Sequence, residues 1–427
     1  MRRGGLRKDQ WSWILIDVGN SAFATTILAA LFPVYLPSLL PPEGVTLSLL
    51  GISWSTSASS LWGYTVSASL ILTLIISLLL GAWADRSGYR KFFLGAFTLL
   101  GVIATCGLGI FDSWKLALGS FVLANVGFSG SNIFYNSLID SVGEEDEYHS
   151  LSLKAFAWGY VGGGFLLAIN LLLIMKFEWF GFESQKAAVQ LSFQSVSVWW
   201  AVFTIPALLW IRERAPTSKS DFSLRREFSD LKRMVKHVAS SRNMLLFMIA
   251  FALFNDGIQT VISMASIYGK ESLKLAESTL IGTLLIVQFL GLPFTLLMTK
   301  AAQWFGAKEV LMGSLIAWIG IIIFALTMET NTDFLILGVL VSIVLGVSQA
   351  LPRSIFASFI PKSQMAEYFS FFALSGKMTS ILGPSIFAFV KDTTGNPRMS
   401  ILALGILFVA GTSLLGFVSV DPRKVDR

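Results

Sequence analysis

Apolar runs of about twenty residues recur along the whole of this 427-residue chain. As a helix, each is long enough to cross a hydrocarbon core about 30 Å thick. Lipid offers no hydrogen bonds, so a backbone inside it must satisfy its own polar groups, which a helix does. The chain is therefore expected to be an all-α membrane protein. Its charge content agrees: 14% of residues are charged, against roughly 25% in soluble domains.

Hydropathy predicts twelve spans, at 12–36, 61–82, 91–111, 115–139, 152–175, 193–211, 244–267, 277–299, 308–328, 333–355, 367–390 and 399–420. The longest hydrophilic interruption follows the sixth. The expected organisation is a six-helix bundle over 1–211, a linker over 212–243 and a second six-helix bundle over 244–427. In the linker, Leu224, Phe228, Leu231, Val235 and Val238 recur at helical spacing among basic residues. That pattern suits an amphipathic helix lying along a membrane surface.

Lys and Arg are enriched in cytoplasmic loops. With the N-terminus inside, inner segments carry 24 of them and outer segments 7. Both termini are thus expected in the cytoplasm. The same distribution accounts for the net charge of +6 without nucleic acid, since basic residues sit beside anionic headgroups. The single cysteine, Cys106, allows no internal disulfide. Met1–Gln10 is basic, but the apolar run after it is too long for a signal peptide and reads as a retained first helix. No catalytic residue, metal site, nucleotide loop or cofactor motif is recognisable; His149 and His237 are too few and too far apart for a histidine metal centre. An enzyme or an ATP-driven pump is not expected.

Several spans carry polar groups that lipid disfavours. The seventh reads "FALFNDGIQTVIS" and holds Asn255, Asp256 and Gln259. Asp256 lies roughly 18 Å into it by helical rise, near the midplane. A carboxylate there costs a few kcal/mol and usually faces a cavity or a partner. Lys377, at similar depth in the eleventh span, is a candidate partner; without one, Asp256 could carry a proton. The halves also resemble each other. Asp17-x-x-Asn20 in the first span matches Asp256-x-x-Gln259 in the seventh. "NIFYNSLID" in the fourth matches "SIFASFIP" in the tenth, and "AFAWGYVGG" matches "FALSGKMTS" around Gly159 and Gly376. Asn125, Ser129, Asn132 and Asn136 form one face of the fourth span; Ser342, Gly346, Gln349 and Arg353 form one face of the tenth. Interhelical hydrogen bonding explains any one such residue. Matching stripes in both halves favour a shared aqueous cavity, as in transporters built from repeats.

The loop after the second span reads "GAWADRSGYRK", Gly81–Lys91. It resembles the cytoplasmic signature of the major facilitator superfamily, G-x-x-x-D-R-x-G-x-R-[RK]. "WSWILIDVGNSAFATTILAALFPVYL", "KAFAWGYVGGG", "FALFNDGIQTVISMASIYG" and "PKSQMAEYFSFFALSGKMTSILGP" are similar to segments of its unknown-major-facilitator branch, which includes a fungal vacuolar effluxer of amino acids. The resemblance implies a twelve-helix fold and secondary transport, with amino acids as the leading substrate class. It assigns Gly81, Asp85, Arg86, Gly88 and Arg90 to a conformational gate, to which Asp140 and Arg353 are added by their place at the cytoplasmic ends of spans four and ten. In the second half the corresponding loop has Gln303 where an acid would stand. Candidate substrate or coupling residues are Asp17, Asn20, Asn132, Asn136, Asn255, Asp256, Gln259, Gln349 and Lys377. The expected partners are a small solute, the bilayer and protons, and the chain is expected to act as a monomer in a bacterial cytoplasmic membrane. A lipid flippase and a non-transporting solute receptor are the alternatives on the same fold.

Overall fold

The computed structural model describes residues 6–41, 44–49, 52–87, 89–144, 147–213, 224–360 and 365–420. Among them, eleven helices are long and apolar enough to cross a membrane. The first crosses as α1 (Lys8–Ala22), a π-helical segment (Phe23–Leu31) and α2 (Phe32–Leu39). Pro33, at the start of α2, has no N–H to give to the turn before it, and the wider π turns lie immediately upstream. A two-stranded antiparallel hairpin follows, β1 (Val45–Leu49) and β2 (Ile52–Thr56), with Val45 opposite Thr56 and Leu49 opposite Ile52.

The remaining helices of the first half are α3 (Ala58–Ser87), α4 (Arg90–Leu108), α5 (Trp114–Ser137), the short α6 (Ile139–Val142), α7 (Tyr148–Met175) and α8 (Gln185–Trp210). The linker contains α9 (Leu224–Ser240). Then come α10 (Arg242–Glu271), α11 (Glu277–Phe305), α12 (Ala307–Thr327), α13 (Asn331–Ser358), α14 (Met365–Thr379), α15 (Leu382–Thr394) and α16 (Pro397–Gly416).

The expected eleventh span, 367–390, is not one helix but the pair α14 and α15, interrupted at Ser380 and Ile381. Pro384 explains the interruption. A proline inside a helix clashes with the carbonyl four residues earlier and gives no N–H, and that earlier residue is Ser380.

Contacts divide the chain into two compact units: Met1–Leu40 with Ala68–Ser223, and Pro41–Ser67 with Leu224–Arg427. The hairpin and the first ten residues of α3 thus belong with the second unit. In the first unit, α1 packs along α7 and α8, and α4 along α5 and α8. Its core is aromatic: Trp13 stacks on Tyr135 at 4.6 Å and donates its Nε1–H to the Tyr135 carbonyl, while Phe134 stacks on Phe93 and Phe97. In the second unit, α10 packs on α16, and α11 on α13. Phe372 there stacks on Phe251 at 4.3 Å and on Phe356 at 4.8 Å. The linker helix α9 is tied to α14 by a hydrogen bond between His237 Nδ1 and the Tyr368 hydroxyl, 2.7 Å.

Truncating a buried aromatic leaves a cavity and costs about 3 kcal/mol or more. Trp13→Ala is therefore expected to lower the thermal-unfolding midpoint of the purified protein clearly. Trp304→Ala, at a side chain left 78% exposed, is expected to leave it unchanged.

Candidate functional site

Two consecutive residues of α10 serve the interruption between α14 and α15. Asp256, only 3% exposed, accepts the Gly383 N–H on Oδ1 at 2.9 Å. Gly383 is the second residue of α15, and the first N–H groups of a helix have no partner within it. These groups also form the positive end of the helix dipole, which suits a carboxylate. Asn255 does the opposite work: its Nδ2 donates to the Gly376 carbonyl at 3.0 Å, in the last turn of α14, and lies 3.3 Å from Ser380 Oγ. Ser380 Oγ donates to the same carbonyl at 2.8 Å. A third helix contributes as well, since Ser67 Oγ of α3 donates to the Ile381 carbonyl at 2.8 Å. An acceptor and a donor side by side on one helix therefore meet the N–H end of one half-helix and the carbonyl end of the other.

Residue 383 has to be glycine for α10 to come this close. A Cβ there would overlap Thr260 Oγ1 and lie 2.8 Å from Asp256 Oδ1. Lys377 sits half-buried in the last turn of α14. The hydrogen-bond partner of the Asp256 carboxylate is the Gly383 amide, not the Lys377 ammonium that was its candidate partner. Gln259 is half-buried one turn further along α10. Sequence reasoning passed over Ser67, Ser380 and Gly383. The Gly-Pro pair at 383–384 was the signal, because that dipeptide breaks helices.

The first unit has its own polar centre. Asn20 is buried, with Oδ1 accepting from Trp200 Nε1 at 2.7 Å and Nδ2 donating to Asn132 Oδ1 at 3.1 Å. Asn132 in turn donates to the Phe128 carbonyl at 2.9 Å. Both ends of the Asn20 amide are thus held by protein groups, and Asn20 orients Asn132. Trp200 was absent from the residues singled out by sequence; no local pattern distinguishes it from the other tryptophans of the chain. Asp17 is half-buried and lies against α7, where a Cβ on Gly159 would come within 2.6 Å of its Oδ2. Higher on α5, Asn125 donates to Ser69 Oγ at 2.7 Å.

The two polar stripes share a gradient. On α5, Asn125 and Ser129 are buried, Asn132 is half-buried and Asn136 exposed. On α13, Ser342 is buried, whereas Gln349 and Arg353 are exposed. Both faces become accessible towards the C-terminal ends of their helices. Near that end of α5, Arg90 and Asp140 are brought together: Arg90 Nη1 lies 3.0 Å from both carboxylate oxygens and 2.7 Å from the Ser137 carbonyl. Gly88 and the side chains of Asp85 and Arg86 lie outside the described residues, and Gly81 falls within α3.

The geometry separates two roles of Asp256. An asparagine keeps an oxygen for the Gly383 N–H, whereas an alanine leaves that N–H without an acceptor. Asp256→Ala is expected to destabilise the second unit by about 1 kcal/mol, the usual cost of a lost helix N-cap. Asp256→Asn is expected to melt close to the parent. Thermal unfolding of the two variants side by side checks this.

Comparison with known proteins gives this geometry a context. The family model described as vacuole effluxer Atg22 like matches residues 6–147 and 140–427. The chain is 32% identical over 415 residues to an uncharacterized MFS-type transporter, YxiO, of Bacillus subtilis, covering 96% of this chain and 95% of that protein. It is 25% identical over 482 residues to autophagy-related protein 22 of Coccidioides immitis, covering 94% and 79%. Among solved structures, the nucleoside transporter NupG superposes with a TM-score of 0.68 at 15% identity, covering 96% of this chain and 100% of that one. A D-xylose-proton symporter superposes with a TM-score of 0.69 at 13% identity, covering 98% of each. The likenesses to solved structures establish the twelve-helix transporter fold, and span eleven supplies its twelfth crossing as α14 with α15. The chain is a multi-pass membrane transporter of the major facilitator type and belongs to the vacuole effluxer Atg22-like family.

Proposed function

We propose that the protein is a secondary transporter of small polar solutes, with amino acids as the leading class, and that Asp256 couples transport to protons. The observation that carries the coupling is the setting of Asp256. It is buried in a membrane span, it makes no ion pair among the described residues, and its carboxylate is bonded to a backbone amide of a helix end. A carboxylate in lipid without a countercharge is costly. Taking up a proton removes that cost and weakens the hold on the Gly383 N–H. Proton binding is thereby linked to the connection between α10 and α15.

Amino acids follow from the resemblance to the effluxer branch. A zwitterion needs an acceptor-rich group for its ammonium and donors for its carboxylate. In the first unit Asp17 supplies acceptors and Asn132 and Asn136 supply both kinds, and Asn136, the most accessible of the three, is the leading proposed contact. The gradient of exposure along α5 supports entry from its C-terminal end. The basic-residue distribution supports a cytoplasmic location for that end and for both termini. The bacterial relative supports a bacterial cytoplasmic membrane.

The test is uptake of labelled amino acids into proteoliposomes with and without an imposed pH gradient. The parent is expected to accumulate solute only with the gradient. Asp256→Asn is expected to exchange solute down its gradient but to lose pH-driven accumulation. A ligand that binds only the folded state raises its stability, by about 2.7 kcal/mol at a hundredfold excess over Kd. Absence of any amino-acid-dependent shift in the melting point would overturn the substrate class; equal pH-driven accumulation by Asp256→Asn would overturn the coupling role.

A further inference from the structure

The linker helix α9 takes no part in the polar centres described above, yet its place is closely fixed. It ends at Ser240, and Ser241 already caps α10, its Oγ accepting the Met244 N–H at 3.4 Å. A helix joined so tightly to the start of a membrane span is held at the level of the lipid headgroups. On its inner side α9 packs against α10 and α14. Val238 is buried there, and Met234, one turn earlier, is half-buried. His237 adds its hydrogen bond to the Tyr368 hydroxyl, in the first turn of α14.

The outer side of α9 is open, and its residues are sorted. At about 3.6 residues per turn, Val235 and Ala239 form one strip and Lys232 and Lys236 the next. All four are exposed, Val235 by 50%. Going round the helix, Met234 and Val238 come first, then the exposed apolar pair, then the two lysines. An apolar strip left open, with lysines beside it, suits a helix lying in a membrane interface. Its apolar side chains enter between the headgroups, and the ammonium groups reach the phosphates. We propose that α9 is a docking strip for anionic phospholipid headgroups, and that through His237 and Tyr368 the bound lipid steadies the start of α14. Charge complementarity selects the lipid, because a zwitterionic headgroup has no net charge to answer Lys232 and Lys236. The far end of α14 is fixed separately, where Asn255 donates to the Gly376 carbonyl. A lipid held by α9 therefore bears on a half-helix already anchored at the break in span eleven. The proposal is independent of which solute is carried.

The experiment is hydrogen exchange on the full-length protein in two kinds of nanodisc. One is pure phosphatidylcholine, the other equal parts of phosphatidylcholine and anionic phosphatidylglycerol. The anionic lipid is expected to slow exchange at residues 232–240 about tenfold, the scale expected for two lysines at an anionic surface. The start of α14 is expected to slow with it, while α12 stays unchanged. High salt, which screens exposed charges, is expected to remove the difference, as is the double substitution Lys232→Gln with Lys236→Gln. Tyr368→Phe is expected to leave α9 responsive to the lipid and to take the response away from α14, which a general loss of stability would not do. Equal exchange of α9 in the two nanodiscs, or a difference that survives the double substitution, would overturn the lipid contact. A parent in which α9 responds and α14 does not would overturn the link through His237 and Tyr368.

Discussion

The interruption of span eleven is the constraint on which the second unit is arranged. Breaking a helix inside a membrane exposes N–H and carbonyl groups where no water can satisfy them. Pro384 imposes the break, and neighbouring helices then have to supply the missing partners. Asp256 takes the Gly383 N–H, Asn255 gives to the Gly376 carbonyl, and Ser67 gives to the Ile381 carbonyl. Each bond also ties α14 or α15 to another helix. The polar Asn-Asp pair in the middle of an apolar span and the Gly-Pro pair in another are therefore two halves of one feature.

The first unit solves a related problem differently. Its α7 runs unbroken from Tyr148 to Met175, and Asn20 and Asn132 of this unit bond to each other rather than to a helix end. Asn20 is held between Trp200 and Asn132, while glycine at 159 lets α7 approach the Asp17 carboxylate. Asp17 and Asp256 occupy matching places in the two halves of the sequence, yet their surroundings differ: one lies against a glycine on a continuous helix, the other caps a half-helix. A related sequence pattern has been put to two structural uses, and only the second couples a titratable side chain to a helix end.

Much of the architecture was legible from the chain alone, because hydrophobic length is a one-dimensional property. The spans, the long linker with its amphipathic helix and the membership of a transporter superfamily needed no knowledge of contacts. The candidate residues were legible in kind but not in role. Asn20 stood out as a polar residue in lipid, and its partner Trp200 did not, since a tryptophan in a span is ordinary until its indole N–H is seen to meet an amide. Lys377 was expected opposite Asp256 because opposite charges at one depth attract. The backbone N–H of Gly383 holds that place instead, and a sequence displays no backbone donors. Arg90 and Asp140 lay in separate expected gate segments, and the fold joins them.

Read without any contacts, the chain already specifies a helical membrane transporter, because apolar runs of about twenty residues have no other stable form in lipid and the signature loop narrows the kind. Which groups the polar exceptions meet was decided only in three dimensions. Whether a buried carboxylate meets an ammonium, a helix end or nothing depends on which distant backbone atoms come within about 3 Å of it. Packing sets that distance, here through a proline that opens a helix and a glycine that admits its neighbour.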